Sequence, residues 1–248
     1  MIFFVGAGSG DPELITLKGY KLLQEADLVV WAGSLVNEKV LDYTKAGARL
    51  VNSAHLDLEE IVETMVEAYN KGEKVVRLHT GDPSLYGAIG EQMELLKQKG
   101  VPFKVIPGVS SFLAAAASVQ KEYTVPDGTQ TVIITRMEGR TPVPARENLA
   151  SLAAHGSSMA IFLSVGMIER VVEQLLEGYS PDTPAAVVEK ASWPEERVLK
   201  GTLANLAQLT RDAGITKTAL ILVGNFLKDT GKSKLYDREF THEFREGK

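Results

Sequence analysis

Cysteine is missing altogether from these 248 residues. That absence excludes disulfides, thiolate metal sites and cysteine nucleophiles together, and it fits a reducing compartment. Histidine is scarce. The four that occur, His55, His79, His155 and His242, are too scattered to form a close ligand pair, so no metal site is expected. There is no surplus of positive charge: 27 Lys and Arg stand against 32 Asp and Glu, a net charge of −5. This balance argues against a duplex nucleic-acid binder. No apolar run approaches the ~20 residues that span a bilayer. The chain opens directly on the strand-like run Ile2-Phe3-Phe4-Val5, with no basic segment and longer apolar core before it. Neither a membrane span nor a secretory signal is expected, and the expected location is cytoplasmic. Repeats and low-complexity tracts are lacking too.

What is present is ordinary for a globular protein: 44% apolar and 24% charged residues. The length suits one large domain or two of roughly 100–130 residues. The first hundred or so residues alternate strand and helix. Strands are predicted over 2–5, 28–31, 74–79 and 103–106, and helices over 13–24, 58–69 and 85–99. Such alternation implies an α/β layer with a largely parallel sheet. An alanine-rich helix follows over 112–119, then a loop around Pro126, Asp127 and Gly128. The second half has another rhythm. Strands are predicted over 131–135, 159–163, 185–188, 197–200 and 219–223, and helices over 147–154, 168–176 and 203–213. The strands at 185–188 and 197–200 flank a polar connection containing Trp193-Pro194-Glu195-Glu196, which suits a hairpin with a long loop and therefore a mixed sheet. The expected division is an N-terminal α/β domain over 1–112 and a C-terminal one over 113–248.

Three glycine-bearing turns follow predicted strands. The first, Gly6-Ala7-Gly8-Ser9-Gly10-Asp11-Pro12, looks like a dinucleotide fingerprint but fails its spacing. The third glycine comes one residue early, and Asp27 precedes the second strand instead of ending it. A tight strand-to-helix turn without ligand is the alternative. The second, Thr80-Gly81-Asp82-Pro83-Ser84-Leu85-Tyr86-Gly87, offers Asp82 either as a ligand anchor or as a helix cap. The third, Pro107-Gly108-Val109-Ser110-Ser111, repeats the arrangement. In open parallel sheets ligands bind beyond the carboxyl ends of strands, and three such turns on one edge point to a binding site.

These turns resemble the tetrapyrrole methyltransferase family, the class III S-adenosylmethionine methyltransferases. Its opening pattern V-G-A-G-x-G-D-P-x-L-x-T-x-K-G is matched from Val5 to Gly19, its G-D-P by Gly81-Asp82-Pro83, and its P-G-V-S-S by residues 107–111. The similarity runs nearly end to end. Within the family, the supporting segments are Trp31-Ala32-Gly33-Ser34-Leu35-Val36, Gln130 to Arg136, Gly139-Arg140-Thr141-Pro142, Ala154-His155-Gly156, Lys190-Ala191-Ser192-Trp193-Pro194 and Leu235-Tyr236-Asp237. They are most similar to the corrin-forming branch, which implies methyl transfer from S-adenosylmethionine to C-11 of precorrin-4 or its cobalt form. Transfer at another ring position or to uroporphyrinogen is the near alternative. An RNA methyltransferase, a nucleotide-binding oxidoreductase and a non-catalytic binding module are the distant ones.

The resemblance implies two α/β domains with the active site in the cleft between them, a small-molecule tetrapyrrole substrate and a homodimer. It implies that Gly81, Asp82 and Pro83 meet the methionine part of S-adenosylmethionine, that Ser110 and Ser111 line the same pocket, and that Leu163 and Ser164 add a further contact. Ala191, Thr218 and Ala219 would complete the adenosine pocket. Gly8, Ser9, Asp11 and Pro12 would face the tetrapyrrole. Ser9 stands where the family often has proline. Asp11 is the candidate proton acceptor, with helix capping as its alternative. The substrate's acetate and propionate groups call for cations, and Arg136 and Arg140, beside a strand end and a Gly/Pro loop, are candidate carboxylate forks, with plain surface solvation as their alternative. Trp193 is either a lid aromatic or loop packing.

Overall fold

The computed structural model describes residues 1–33, 35–126, 128–228, 231–233 and 236–247. Ser34, Asp127 and Leu235, named in the segments above, lie outside the described residues. The chain forms two compact units. The first comprises residues 1–114 with 192–194, and the second 115–191 with 195–248.

The first unit begins with β1 (Ile2–Gly6), α1 (Leu17–Glu25), β2 (Leu28–Trp31) and β3 (Arg49–Asn52). It continues with α2 (Leu58–Asn70), β4 (Val75–His79), α3 (Ile89–Gln98) and β5 (Phe103–Ile106). The unit boundary falls inside α4 (Ser111–Val119). The five strands make one wholly parallel sheet in the order β3-β2-β4-β1-β5. Both faces are covered. Leu23 of α1 packs with Val5, Val29, Val76 and Leu78 on one face. Ile61, Val62 and Met65 of α2 and Leu96 of α3 pack with Ile2, Phe4, Leu28 and Val75 on the other. The helices that follow the adjacent strands β1 and β4 therefore leave to opposite faces. That divergence makes the carboxyl ends of these two strands the switch point of the sheet, the usual ligand position in such sheets.

Local chemistry sets the boundaries. Asp57 and Glu60 form a reciprocal capping box at the start of α2, with N–H···O distances of 2.8 and 3.0 Å. α1 starts later than its periodicity suggests. Asp11 caps a short 3-10 turn over Pro12–Leu14, Ile15 is extended, and only then does Thr16 cap the helix by accepting from Gly19 N–H at 3.1 Å. α3 is also shortened, because Tyr86 (φ 56°) and Ala88 (φ 49°) are left-handed and cannot continue a helix. β3 is absent from the sequence reading. It is a mostly exposed edge strand with β2 as its partner, so its apolar pattern is weak.

The second unit holds β6 (Val132–Arg136), α5 (Leu149–Ala153), β7 (Ser158–Phe162) and α6 (Ile168–Leu175). β8 (Pro184–Glu189), β9 (Arg197–Thr202), α7 (Leu203–Asp212) and β10 (Ala219–Val223) follow. The sheet order is β6-β7-β10-β8-β9. β6 and β7 are parallel, and the other neighbours are antiparallel, including the expected β8–β9 hairpin. α5, α6 and α7 pack Leu149, Val171, Leu175, Leu203 and Leu206 against Met159, Ile161, Val187 and Ile221. Among the described residues no helix is long and apolar enough to cross a membrane.

Candidate functional site

In the first unit the three glycine turns follow β1, β4 and β5, which are neighbours in the sheet. They are packed through glycine. A Cβ on Gly6 would fall 2.5 Å from the Gly81 carbonyl and 2.7 Å from Gly108 Cα, and one on Gly108 would fall 2.2 Å from that carbonyl. Gly8 and Gly81 form an isolated antiparallel bridge, with Gly81 N–H donating to Gly8 O at 2.7 Å and Gly8 N–H to Gly81 O at 3.3 Å. Ala7 N–H donates to the His79 carbonyl at 2.7 Å. The first turn is thus tied to the second at the switch point of the sheet.

Asp82 ties the second turn to the third. Its Oδ2 accepts from Gly108 N–H at 2.8 Å, and its Oδ1 accepts from Ser84 N–H at 2.8 Å and Ser84 Oγ at 2.5 Å. Partial burial alone would push the Asp82 carboxyl up. The bonds from the Ser84 hydroxyl, Gly108 N–H and Ser84 N–H outweigh it and hold the pKa below its ordinary value. Capping and anchoring are therefore combined in one side chain. Pro83 is buried, and Gly81 needs glycine for its backbone (φ 59°) more than for space, since a Cβ there would make only ordinary contacts. Ser110 is buried, and its carbonyl accepts the first helical N–H bond of α4, from Leu113 at 3.0 Å. Ser111 opens that helix, so the positive end of the helix dipole lies at this turn.

The first turn is held by groups distant in sequence. Ser192 Oγ accepts from Asp11 N–H at 3.0 Å and shares a 2.8 Å hydrogen bond with Ser9 Oγ. Trp193 Nε1 donates to Ser9 O at 3.0 Å, and Asn37 Nδ2 to Gly10 O at 2.8 Å. Gly8 N–H and Asp11 N–H are thereby spent inside the protein, which suits a rigid wall and not a cradle for a dinucleotide's phosphates. Asp11 Oδ1 accepts from Glu13 N–H at 2.9 Å, capping the 3-10 turn that Pro12 begins.

In the second unit the candidate residues share one sheet edge. β6, β7 and β8 end there, at Arg136, Phe162 and Glu189, and the antiparallel β10 begins there at Ala219. Left-handed residues stand at this edge: Leu163 (φ 54°), Lys190 (φ 48°) and Thr218 (φ 53°). Such backbone costs on the order of 1 kcal/mol or more per non-glycine residue and clusters at binding sites. Lys190 N–H donates to Thr218 O at 2.8 Å, and Ala191 is buried beside it. The Leu163 side chain is exposed. That of Ser164 is fully buried, donating to Phe162 O at 2.6 Å and accepting from Met137 N–H at 2.8 Å, so it shapes the loop from within. Arg136 donates to the carbonyls of Thr141 at 3.1 Å and Pro142 at 2.7 Å, closing the loop that carries the exposed Arg140. Among the described residues no group of three or more His, Asp or Glu side chains is arranged to hold a metal.

Sequence reasoning missed Ser192, Asn37 and the mutual packing of Gly6, Gly81 and Gly108. The signal for the glycines was the recurrence of glycine immediately after three strands. Nothing local in the sequence points Asn37 or Ser192 at the first turn.

The chain is similar in sequence and fold to known proteins. The family described as Tetrapyrrole (Corrin/Porphyrin) Methylases matches residues 1–207. The chain is 56% identical over 247 residues to cobalt-precorrin-4 C(11)-methyltransferase of Methanocaldococcus jannaschii, covering 98% of this chain and 95% of that protein. The X-ray structure of a cobalt precorrin-4 methyltransferase, CbiF, superimposes with a TM-score of 0.90 at 49% identity, covering 92% of this chain and 96% of that one. Uroporphyrin-III C-methyltransferase from Thermus thermophilus, complexed with S-adenosylhomocysteine, superimposes with a TM-score of 0.76 at 30% identity, covering 92% and 93%.

Proposed function

The chain belongs to the tetrapyrrole (corrin/porphyrin) methylases, and from that premise we propose that it transfers a methyl group from S-adenosylmethionine to C-11 of cobalt-precorrin-4 in cobalamin biosynthesis. The observation that carries this reading is the near full-length identity to the Methanocaldococcus jannaschii enzyme. S-adenosylmethionine supplies a sulfonium-activated methyl: a bond forms from C-11 to the methyl carbon as the carbon–sulfur bond breaks, and sulfur keeps that electron pair as a neutral thioether.

The protein's part is to bind and orient. Gly81, Asp82, Pro83, Ser110 and Ser111 hold the methionine end, where glycine permits close approach and the α4 dipole suits a carboxylate. Leu163, Ser164, Ala191, Thr218 and Ala219 hold the adenosine, mainly through the left-handed backbone at their sheet edge. Gly8, Ser9 and Pro12 face the tetrapyrrole, and Arg136 and Arg140 meet its carboxylates. Asp11 takes a proton from the tetrapyrrole on Oδ2, since Oδ1 is spent on Glu13. Holding two reactants in line can supply roughly 7–11 kcal/mol of barrier reduction. The enzyme works as a homodimer in the cytoplasm, a reading supported by the resemblance and by a composition free of cysteine.

The test is methyl transfer to purified cobalt-precorrin-4 and precorrin-4, with the product carbon located by NMR. Methylation at C-11 of the cobalt form is expected. A methyl group at another carbon, or transfer to precorrin-4 alone, overturns the assignment. Calorimetry with S-adenosylhomocysteine and NADH checks the class: tight NADH binding without binding of the thioether sinks it.

A further inference from the structure

Residues 9, 10 and 11 are each gripped by side chains far away in sequence. Ser192 Oγ holds Asp11 N–H and Ser9 Oγ, and Trp193 Nε1 holds Ser9 O. The indole also packs against Gly10: a Cβ there would sit 2.0 Å from Trp193 Cδ1 and 2.3 Å from Nε1. Ser192 adopts a left-handed backbone (φ 68°), which a serine accepts only when its surroundings hold it there. These three residues, 192–194, belong to the first unit although the chain on both sides belongs to the second. A plain loop needs neither that excursion nor that strain.

We propose that Ser192 and Trp193 are positioning residues for methyl transfer: they clip the 9–11 turn in place and so set where Ser9 and the Asp11 carboxylate meet the tetrapyrrole. This rests on the reading that the turn faces the tetrapyrrole and not the cofactor. The clip acts through backbone position. Loss of the Ser192 oxygen frees Asp11 N–H, and loss of the indole frees Ser9 O and uncovers Gly10. Neither residue is required to touch the substrate.

A size-swap experiment on the full-length protein tests this. Trp193→Phe keeps a ring on Gly10 and removes the N–H bond, so KM for cobalt-precorrin-4 should rise about five-fold. Trp193→Ala should raise it further, to about twenty-fold, with the affinity for S-adenosylhomocysteine within two-fold of wild type. Gly10→Ala drives a methyl into the indole and should raise KM like Trp193→Ala. On the Trp193→Ala background the same substitution should add less than two-fold, because the obstacle is gone. Ser192→Gly, which relieves the backbone and removes the hydroxymethyl group with its oxygen, should follow Trp193→Phe.

An unchanged KM in an active Trp193→Ala protein of lowered melting temperature overturns the proposal, and so does additivity of Gly10→Ala with Trp193→Ala. A rise in the Kd for S-adenosylhomocysteine with KM for the tetrapyrrole unmoved overturns it as well, by turning the clip toward the cofactor. Failure of the function itself is separate: it shows in wild type, before any substitution, as the absence of methyl transfer.

Discussion

At the scale of single residues, Asp82 is the side chain with most at stake. It offers both oxygens to backbone and hydroxyl donors in two turns, and the proposed cofactor site is built on those turns. Asp82→Ala should cost about 1–3 kcal/mol of stability, because Gly108 N–H and the Ser84 donors lose their acceptor. It should also weaken S-adenosylhomocysteine binding by about ten-fold as the turns separate. Denaturation and calorimetry on one preparation check both. A drop in stability with unchanged affinity would mean that Asp82 is a cap alone. Asp82 also shows what local sequence cannot tell. Gly81-Asp82-Pro83 was visible as a ligand-or-cap motif. The answer lay in Gly108, 26 residues on, which becomes a neighbour only because β5 pairs beside β1.

At the scale of elements, the glycines at the strand ends divide into two kinds. Gly108 is required by space, since its Cβ would meet the Gly81 carbonyl at 2.2 Å. Gly81 is required by its dihedral, φ 59°, in otherwise tolerable surroundings. Gly81→Ala should therefore cost about 1–2 kcal/mol, and Gly108→Ala about 3 kcal/mol or more, because two backbone segments must part. Urea denaturation of the two variants gives the comparison; equal costs would refute the distinction. The same elements show how far periodicity reaches. Strands buried on both faces, such as β2 and β4, were legible as short apolar runs. β3 was not, because an edge strand carrying Arg49 and Asn52 buries too little to show a pattern. The starts of α1 and α3 were placed too early because apolar residues continue through 14–15 and 85–86. There the chain runs through a 3-10 turn to an extended Ile15, or through a left-handed Tyr86, and its conformation is decided by capping and by turn-to-turn packing. The three turns of the candidate site were legible as motifs, whereas the clip on the first of them, supplied from 192–193, is a product of tertiary folding alone.

At the scale of the whole molecule, stability should depend on pH through a buried histidine. His79 ends β4, stacks on Phe4 with ring centroids 5.9 Å apart, and has its Nε2 buried without a hydrogen-bond partner. Burial, and then the neighbouring charge of Arg77, lowers its pKa from 6.5 to about 3. Arg77 is itself buried and lowered to about 10 by desolvation, with Gln92, Val30 O and Ser53 as its neutral acceptors. The folded protein therefore keeps His79 neutral while the unfolded chain protonates it below pH 6.5. The unfolded state binds the extra proton, so stability is highest above pH 6.5 and is lost as pH falls toward 3. Asp82 has the same sign in a lower window. Its contribution is complete above its ordinary value of 3.8 and is lost only as pH falls through the lower folded value. Between pH 7.5 and 5 the histidine alone should therefore remove about 2 kcal/mol. Replacing it by leucine, His79→Leu, should flatten the stability profile by that amount over the same interval, measured as urea unfolding free energies. Parallel profiles for the two proteins would show that His79 takes up a proton in the folded state as readily as in the unfolded one. The arrangement would then have to place a compensating acceptor beside Nε2. The variant should keep the first glycine turn in position, because that turn is held by the backbone carbonyl of residue 79 and not by the imidazole.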